Sequence, residues 1–407
     1  MKPRILITLP FCLSTPGGMT IDCLHLARYL SLAGAEVLLL TVQTQDWDRF
    51  PRSRWSEEEL GREPAAWLRE AGVEVIGLPP HPLHFALDAL RVRRALACLL
   101  AARRIDVVLG WVHETLFLPS LLRRHQVVNG MVAAASYGPL LEPGSRFLRP
   151  LDRLRRNVLF RDPLRRADLV IARSELTRRE LMALVPVEPE RIQVVHCGVD
   201  PSFFAVPREP SPDLRRFIFF GQLCAEKGIF DALEALGRLA ARGRRDWTLK
   251  VAGWGEAAAV RRTAERLGIA GQVELLGTLG REALRRELAW AQLAILPSRM
   301  ESFGLANAES QAAGLPVIAY HAAAVPEVVA AGQTGWLLPP GRVDLLAETL
   351  EAAVADPAAA FALGLAGRRR MWELFRPERS AALTLEAVAA AVQRRRLAGA
   401  PELREAA

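Results

Sequence analysis

The stretch from Leu293 to Tyr320, LAILPSRMESFGLANAESQAAGLPVIAY, constrains the fold of this chain more than any other stretch. Two apolar runs, each short enough for a buried strand, flank a loop that starts at Pro297 and a small-residue segment that ends at Gly314. This order predicts strand, loop, short helix and strand, which is the repeating unit of a parallel α/β sheet. We expect the helix to begin within residues 303–305 and to end at Gly314, because glycine commonly follows a helix end.

The predicted helix start and two glutamates indicate the kind of ligand this unit would bind. The amides at the start of the helix would point to the carboxyl edge of the sheet, where a phosphate can bind. Glu301 lies in the loop before the helix, and Glu309 lies one to two turns inside it. Carboxylates accept hydrogen bonds from paired sugar hydroxyls, while amides and cations bind a diphosphate. The pattern therefore suits a nucleotide-sugar, although two glutamates at this spacing also occur by chance.

The rest of the chain repeats the same alternation of strand and helix. Its 407 residues exceed one ordinary core, so we expect two domains of about 200 residues each. Alternating segments indicate α/β units rather than a β-sandwich or a helical bundle. The predicted strands are Ile5–Leu9, Glu36–Thr41, Val73–Leu78, Val107–Leu109, Met131–Gly138, Asp168–Ala172, Phe217–Gly221, Leu249–Gly253, Val273–Gly277 and Leu293–Leu296. Residues 342–394 are predicted to be helical, with a break near Pro377.

Composition narrows the classes of partner. A formal net charge of +8 and a pI near 9.8 suit nucleic acid, a membrane surface or anionic ligands. No nucleic-acid-binding signature accompanies the charge, so we do not expect nucleic acid as a partner. Five scattered cysteines without a CxxC pair indicate neither a disulfide framework nor a metal site. The start, MKPRILITLPF, is predicted to be a buried strand rather than a signal peptide, and no apolar run reaches transmembrane length, so we expect a cytoplasmic protein.

Four motifs follow one another in the C-terminal half: SFG after Glu301, AAGLPVIA after Glu309, VPEVV at 325–329 and GQTGWLLPP at 332–340. In this order they resemble family 4 of the retaining glycosyltransferases. The resemblance implies the GT-B fold, in which two Rossmann-like domains face each other across a cleft and the last helix crosses back to the N-terminal domain. It also implies a nucleoside-diphosphate sugar as co-substrate, no tightly bound cofactor and no metal.

The resemblance also implies domain boundaries. Residues 1–198 would form the acceptor-side domain and residues 199–376 the nucleotide-sugar-binding domain, with the boundary at the GVD of the segment RIQVVHCGVDPSFF. Residues 377–395 would contain the helix that returns to the first domain, and residues 396–407 would form a tail.

The segment GQLCAEKGIFDALEAL at 221–236 resembles the phosphate-binding turn of the family. Lys227 and Gly228 match it, and a lysine there can neutralise charge that develops on the departing diphosphate. Gln222 stands where the family has an arginine, so it offers only a neutral donor and should weaken donor binding or slow departure. The other donor-binding positions that the resemblance implies are Gly18, Gly255, Phe303, Gly304, Leu305 and Glu309. The alternatives are a solvated surface lysine for Lys227 and a plain strand-to-helix turn for Gly18.

The acceptor side departs from the family. Relatives carry a histidine beside the transferred sugar, but the corresponding segment, Met131 to Gly138, ends in alanines, Ser136 and Tyr137. His113 lies one segment earlier and could line the cleft, or it could be a packing or loop histidine. We keep His113 and Ser136 as possible acceptor-side residues, and the acceptor stays open among sugars, lipid-linked molecules and small molecules.

The most basic stretch is SRFLRPLDRLRRNVLFRDPLRR at 145–166, with eight arginines and two aspartates. Its apolar residues fall at helical spacing between guanidinium groups, which predicts a basic amphipathic helix. Such a helix can make peripheral contact with an anionic membrane at the inner face. Alternatively, the apolar stripe packs on the first domain and the arginines are solvated.

Three functions fit these observations. The first is a retaining glycosyltransferase of the hexosyltransferase class, with Glu301 and Lys227 as catalytic residues, Glu301 on the sugar hydroxyls and Glu309 on the ribose. The second is a degenerate glycosyltransferase scaffold that binds a nucleotide-sugar or glycan without turnover, which the missing histidine and Gln222 favour. The third is epimerisation of a nucleotide-sugar on the same architecture.

Overall fold

The computed structural model describes residues 2–9, 17–42, 64–78, 84–111, 116–134, 158 and 161–399. The described residues divide into two compact units. The first unit holds the residues up to His196 together with those from Glu378 onward, and the second holds Cys197–Pro377.

The first unit is built on a parallel sheet with strand order β3-β2-β1-β4-β5-β6-β7 among the described residues. Its strands are β1 (Arg4–Leu9), β2 (Glu36–Val42), β3 (Glu74–Leu78), β4 (Val107–Gly110), β5 (Val128–Ala133), β6 (Leu169–Ala172) and β7 (Ile192–Val194). Its helices are α1 (Gly18–Leu32), α2 (Pro64–Arg69), α3 (His84–Ala102), α4 (Pro119–Arg124), α5 (Asp162–Arg166), α6 (Glu175–Leu184) and most of α15 (Pro377–Gly399). Ile5 and Ile7 pack into one core and Leu6 into another, because successive strand residues face opposite sides of a sheet.

The second unit is built on a parallel sheet with strand order β10-β9-β8-β11-β12-β13. Its strands are β8 (Arg216–Phe220), β9 (Thr248–Ala252), β10 (Val273–Gly277), β11 (Leu293–Leu296), β12 (Val317–Tyr320) and β13 (Gly335–Leu338). Its helices are α7 (Pro201–Phe204), α8 (Ile229–Ala241), α9 (Ala257–Arg266), α10 (Arg281–Trp290), α11 (Leu305–Ala312), α12 (Val325–Val328), α13 (Val343–Ala355) and α14 (Pro357–Leu374). The chain builds outward from β8 in one direction and then from β11 in the other. The carboxyl ends of β8 and β11 therefore flank a topological switch point, where ligands bind in open parallel sheets.

The predicted α/β class with two Rossmann-like sheets is confirmed, and the central unit folds as β11, loop, α11 and β12. Most predicted strands differ from the observed ones by at most one residue at each end, and two regions differ by more. Strand β5 begins at Val128 rather than at Met131, and residues 135–138 of the predicted strand lie outside the described residues. The helical region 342–394 is interrupted at Asp356, whose carboxylate accepts a hydrogen bond from the Ala359 amide at 3.0 Å and so caps a new helix. Pro357 at the first helical position reinforces this break.

Helix α15 belongs mainly to the first unit. Its buried residues, Ala381, Ala387, Val388 and Ala391, join the same core as β1. Arg395 donates to the Asp168 carboxylate at 2.9 Å. Among the described helices, none alone is long and apolar enough to cross a membrane. The consecutive helical segments 343–355 and 357–397 reach that length and composition only when taken together, and they are bent by 103° at the break between them.

Candidate active site

The loops that follow β8 and β9 run in backbone contact at the carboxyl edge of the second sheet. The amide of Leu223 donates to the Trp254 carbonyl at 2.8 Å. A Cβ on Gly253, whose φ is +146°, would stand 1.7 Å from the Gly221 carbonyl oxygen, so only glycine allows this approach. A Cβ on Gly255 would stand 2.7 Å from the Leu223 carbonyl oxygen. Gln222 lies half-buried on this closely packed turn.

The turn that carries Lys227 is held against the loop after β11. Gly228, with φ +78°, ends the short 3-10 helix Ala225–Lys227 and precedes α8. A Cβ on Gly228 would stand 2.0 Å from the Pro297 carbonyl oxygen. The Arg299 amide also donates to the Glu226 carbonyl at 2.8 Å. The β8 turn and the β11 loop are therefore joined through their backbones.

This junction brings Lys227 and Glu301 together. The Lys227 ammonium lies 2.7 Å from Glu301 Oε1, with the two side chains 30% and 16% exposed. The ammonium also donates to the Met300 carbonyl at 3.4 Å. In the loop after β12, the Ala324 amide donates to the Glu301 backbone carbonyl at 3.1 Å. Ala323, the residue before that amide, has φ +49°, a left-handed backbone that is unusual for a residue other than glycine.

Glu301, Ser302 and Phe303 lie in the loop that leads into helix α11. Gly304 stands at its N-cap with φ +97° and provides no side-chain cap. The helix starts at Leu305 and ends at Ala312, and Gly314, with φ +74°, follows its end, as the sequence predicts. Its first amides carry the positive end of the helix dipole at the carboxyl edge of the sheet. A helix start of this kind can bind a phosphate.

The opposite end of α11 is held by two half-buried cations. Arg208 donates to the Ala313 carbonyl at 2.6 Å and also to the Leu288 carbonyl near the end of α10. Arg368 donates to the same Ala313 carbonyl at 2.7 Å. Burial and the neighbouring Arg368 lower the pKa of Arg208 to about 9. The guanidinium groups satisfy carbonyls at the helix end, where cations are favoured.

Glu309 lies in the second turn of α11. Its side chain is only half-buried by surface area, but protein atoms surround its carboxyl, and this desolvation raises its pKa to about 8. Asp200 raises the pKa further, and Arg281 opposes the shift. Asp200 and Arg281 form an ion pair at 2.9 Å, and Asp200 also accepts the Ser202 amide at the start of α7. The Glu309 carboxyl therefore lies near the carboxylate of Asp200, apart from the contact of Lys227 with Glu301.

Comparison with known protein families identifies the family of this chain. The sequence model described as Glycosyltransferase Family 4 matches residues 16–203, and the model described as Glycosyl transferases group 1 matches residues 205–370. The chain belongs to the family 4 glycosyltransferases. The two matches together span both units of this glycosyltransferase.

Two curated relatives support the assignment. The MMP alpha-(1->4)-mannosyltransferase of Mycolicibacterium hassiacum is 29% identical over 93% of this glycosyltransferase and 96% of the relative. The alpha-maltose-1-phosphate synthase of Mycolicibacterium smegmatis is 32% identical, and that alignment spans 54% of this chain and 62% of the relative. The crystal structure of Anabaena HepE in complex with UDP has a TM-score of 0.71 and 17% identity, and covers 95% of this chain and 100% of HepE. That likeness shows the fold, which is the GT-B fold.

The predicted site residues of this glycosyltransferase fall into three groups. Lys227 and Glu301 lie in contact, with Phe303, Gly304 and Leu305 directly after them at the start of α11, and with Gln222 and Gly255 on the neighbouring turn. Glu309 lies further along α11, within the electrostatic reach of Asp200 and Arg281. Gly18 is the first residue of α1 in the other unit and follows Gly17, whose φ is +147°. The donor contacts of these residues stay predictions.

Some predictions concern residues that the structure does not describe. His113 and Ser136 lie outside the described residues, as does most of the basic stretch 145–166. Among the described residues, no group of three or more histidine, cysteine, aspartate or glutamate side chains could hold a metal ion.

Sequence reasoning missed three residues that support the Lys227 turn: Asp231, Arg299 and Tyr320. Asp231 lies 68 residues before Arg299 and 89 before Tyr320, and none of the three was singled out as a site residue. Asp200 was read only as part of the GVD linker, and its carboxylate could have been recognised as an N-cap, because Pro201 follows it at the first helical position.

Proposed function

We propose that this chain is a retaining glycosyltransferase that transfers a sugar from a nucleoside-diphosphate sugar to a hydroxyl acceptor without a metal. The observation that carries the proposal is the contact of Lys227 with Glu301 at 2.7 Å, immediately before the start of α11. A cation, a helix start and a carboxylate then lie side by side at the switch point of the sheet. The cation and the helix start suit the diphosphate of a nucleotide-sugar, and the carboxylate suits its sugar hydroxyls.

Each residue has a role in this proposal. Lys227, Gln222, the turn at Gly255 and the amides of Phe303, Gly304 and Leu305 bind the diphosphate. Glu301 accepts hydrogen bonds from hydroxyls of the transferred sugar. Glu309 binds the ribose, and its raised pKa means that a protonated carboxyl can donate to one ribose hydroxyl and accept from the other.

The chemical step breaks the bond between the anomeric carbon and the diphosphate oxygen. The acceptor oxygen attacks from the face that the diphosphate leaves, so the anomeric configuration is retained. The acceptor hydroxyl gives its proton to the departing phosphate oxygen, which takes both electrons of the broken bond. Lys227 and the positive end of the α11 dipole stabilise the negative charge on that oxygen, and this electrostatic term is commonly the largest in such reactions.

The names of the relatives suggest substrates to test first. HepE is described with UDP bound, so UDP and UDP-glucose are the first nucleotide probes. The M. hassiacum relative is named as a mannosyltransferase and the M. smegmatis relative as a maltose-1-phosphate synthase. GDP-mannose, ADP-glucose and sugar or sugar-phosphate acceptors therefore complete the first panel.

The test combines binding with turnover. We expect one donor of the panel to raise the melting temperature of the purified protein, because a ligand that binds only the folded form stabilises it. We also expect release of the nucleoside diphosphate in the presence of EDTA, and a product of unchanged anomeric configuration by NMR. Glu301→Gln should abolish transfer, while Glu234→Gln should not, because Glu234 of α8 has a side chain that is 42% exposed and pairs with Arg266. Donor binding without turnover would support the binding-scaffold alternative instead.

Contact of residues 145–166 with an anionic membrane is a separate part of the proposal. The described end of this stretch, Arg165 and Arg166, exposes slightly more than half of each side chain. Sedimentation with vesicles of phosphatidylcholine and phosphatidylglycerol should show binding that falls as salt rises. Equal recovery with phosphatidylcholine vesicles alone would contradict an electrostatic contact.

A further inference from the structure

Arg299 is attached to the β8–α8 connection at two points. Its backbone amide donates to the Glu226 carbonyl at 2.8 Å. Its guanidinium donates to Asp231 Oδ2 at 2.7 Å, in the first turn of α8. Lys227 and Gly228 lie between the two attachment points, and Glu301 lies two residues after Arg299. One side chain thus connects the segment that carries the ammonium with the segment that carries the carboxylate.

Tyr320 also contacts Asp231, from the sheet. It is the last residue of β12, it is fully buried, and its hydroxyl donates to the same Asp231 Oδ2 at 2.8 Å. Burial and the hydrogen bond to Asp231 raise the pKa of Tyr320, so the hydroxyl stays protonated and remains a donor. Asp231 therefore accepts from a cation in the β11 loop and from a phenol in the sheet through one oxygen.

We propose that Asp231, Arg299 and Tyr320 form a positioning triad that fixes the separation of Lys227 and Glu301 and thereby tunes donor binding and transfer. The inference rests on the proposed function, because it assigns these residues to the same donor site. None of the three needs to touch the donor. They act by preventing the β11 loop from sliding along the Lys227 turn.

The alternative is that the triad only adds stability. The exposure of Arg299 argues for positioning, because its side chain is 46% exposed in the ion pair with Asp231, which is 17% exposed. An ion pair with one member this open to solvent contributes little to folding. A shift of about 1 Å between reacting groups, in contrast, can cost on the order of a hundredfold in rate. A positioning role therefore affects the donor more than it affects unfolding.

The chain offers a matched control. Arg242, just after the end of α8, forms an ion pair with Glu351 of α13 at 2.5 Å, and their side chains are 45% and 42% exposed. Arg242→Gln removes the same charge from the same region of the unit at a point remote from the Lys227 turn. A difference between Arg299→Gln and Arg242→Gln therefore reports position rather than charge or surface ion pairing.

The experiment measures the melting temperature, the donor dissociation constant, kcat and KM with the best donor of the panel. For Arg299→Gln and Asp231→Asn we expect kcat/KM to fall on the order of tenfold, as for other groups that orient a site from behind. We expect their melting temperatures to stay within about 2 °C of Arg242→Gln. Tyr320→Phe, which keeps the ring, should lose about two- to threefold, and Arg299→Lys should recover part of the loss.

The double variant Arg299→Gln/Asp231→Asn is decisive, because both changes break one link. We expect its kcat/KM to be no lower than that of the less active single variant, whereas independent effects on kcat/KM would multiply. Multiplying effects, or kinetics equal to those of Arg242→Gln, would overturn the triad while leaving the proposed function intact. A wild-type protein that binds none of the donors would instead contradict the proposed function itself.

Discussion

Replacing Gly228 by alanine tests how the candidate site is held together. Gly228 has φ +78°, and a left-handed backbone costs a residue with a Cβ about 1–2 kcal/mol. The added Cβ would also stand 2.0 Å from the Pro297 carbonyl oxygen, and real contacts of this kind essentially never fall below 3.0 Å. The Lys227 turn and the β11 loop must then separate by about 1 Å, and overpacking of this kind costs about 1–3 kcal/mol.

Gly243 supplies the control for this substitution. Its φ of +86° is nearly the same, but a Cβ there meets no heavy atom within 4 Å. Gly243→Ala should therefore cost only the backbone term of about 1–2 kcal/mol, and Gly228→Ala about 2–5 kcal/mol in total. At about 2–4 °C per kcal/mol, the extra loss at Gly228 lowers the melting temperature by roughly 2–12 °C more than at Gly243.

Donor binding separates the two glycine variants more clearly than stability. A separation of about 1 Å breaks the 2.7 Å contact of Lys227 with Glu301, so we expect Gly228→Ala to lose on the order of ten- to a hundredfold in kcat/KM. Gly243→Ala should keep the wild-type value. Thermal unfolding with and without donor, followed by steady-state kinetics, measures both effects. Equal melting temperatures and equal kinetics for the two variants would refute the reasoning that backbone contact positions the site.

Substitutions at three further positions test other features. Ala323→Gly should raise stability by about 0.5–1 kcal/mol in thermal unfolding, because it relieves a left-handed backbone at an exposed residue; a lower melting temperature would contradict this. Asp356→Ala should lose about 0.5–2 kcal/mol with its N-cap, whereas Asp356→Asn should lose less in the same assay. The folded protein holds the Glu309 proton more tightly than the unfolded chain, so wild-type stability falls as pH rises from about 4.5 to about 8. The free energy of unfolding of Glu309→Gln, relative to that of the wild type, should therefore be about 1–3 kcal/mol higher at pH 9 than at pH 5. This is less than the full pKa shift implies, because solvent reaches this side chain. An equal difference between the two proteins at both pH values would contradict the shift.

The local order of the second unit could be predicted from the sequence because short-range physics sets it. Apolar runs of four to six residues, closed by Pro297 or Gly221, are long enough to define buried strands. Gly314 marked the end of α11, and small residues in front of it marked a helix that packs closely. The pairing of Glu301 with the Lys227 turn followed only from the resemblance, because 74 residues separate the two side chains.

The links behind the site could not be predicted, because they join residues that no local pattern connects. Asp231 and Tyr320 are 89 residues apart, and their contact depends on β12 lying beside β11 in the sheet. The left-handed backbone of Ala323 was also missed, because alanine gives no signal of a positive φ. The interruption at Asp356 had a signal, an aspartate followed by proline, but helical composition on both sides outweighed it.

The chain enters the second unit and leaves it at neighbouring points. The Val199 amide donates to the Phe375 carbonyl at 2.8 Å, and Gly198 packs so closely on Pro377 that a Cβ there would stand 2.4 Å from the proline Cα. Residues 197–377 are thus an insertion whose ends already meet, a topology that tolerates excision and transplantation. Hybrid enzymes could exchange this segment between relatives at these two adjacent junctions, and a short peptide could close the remaining half.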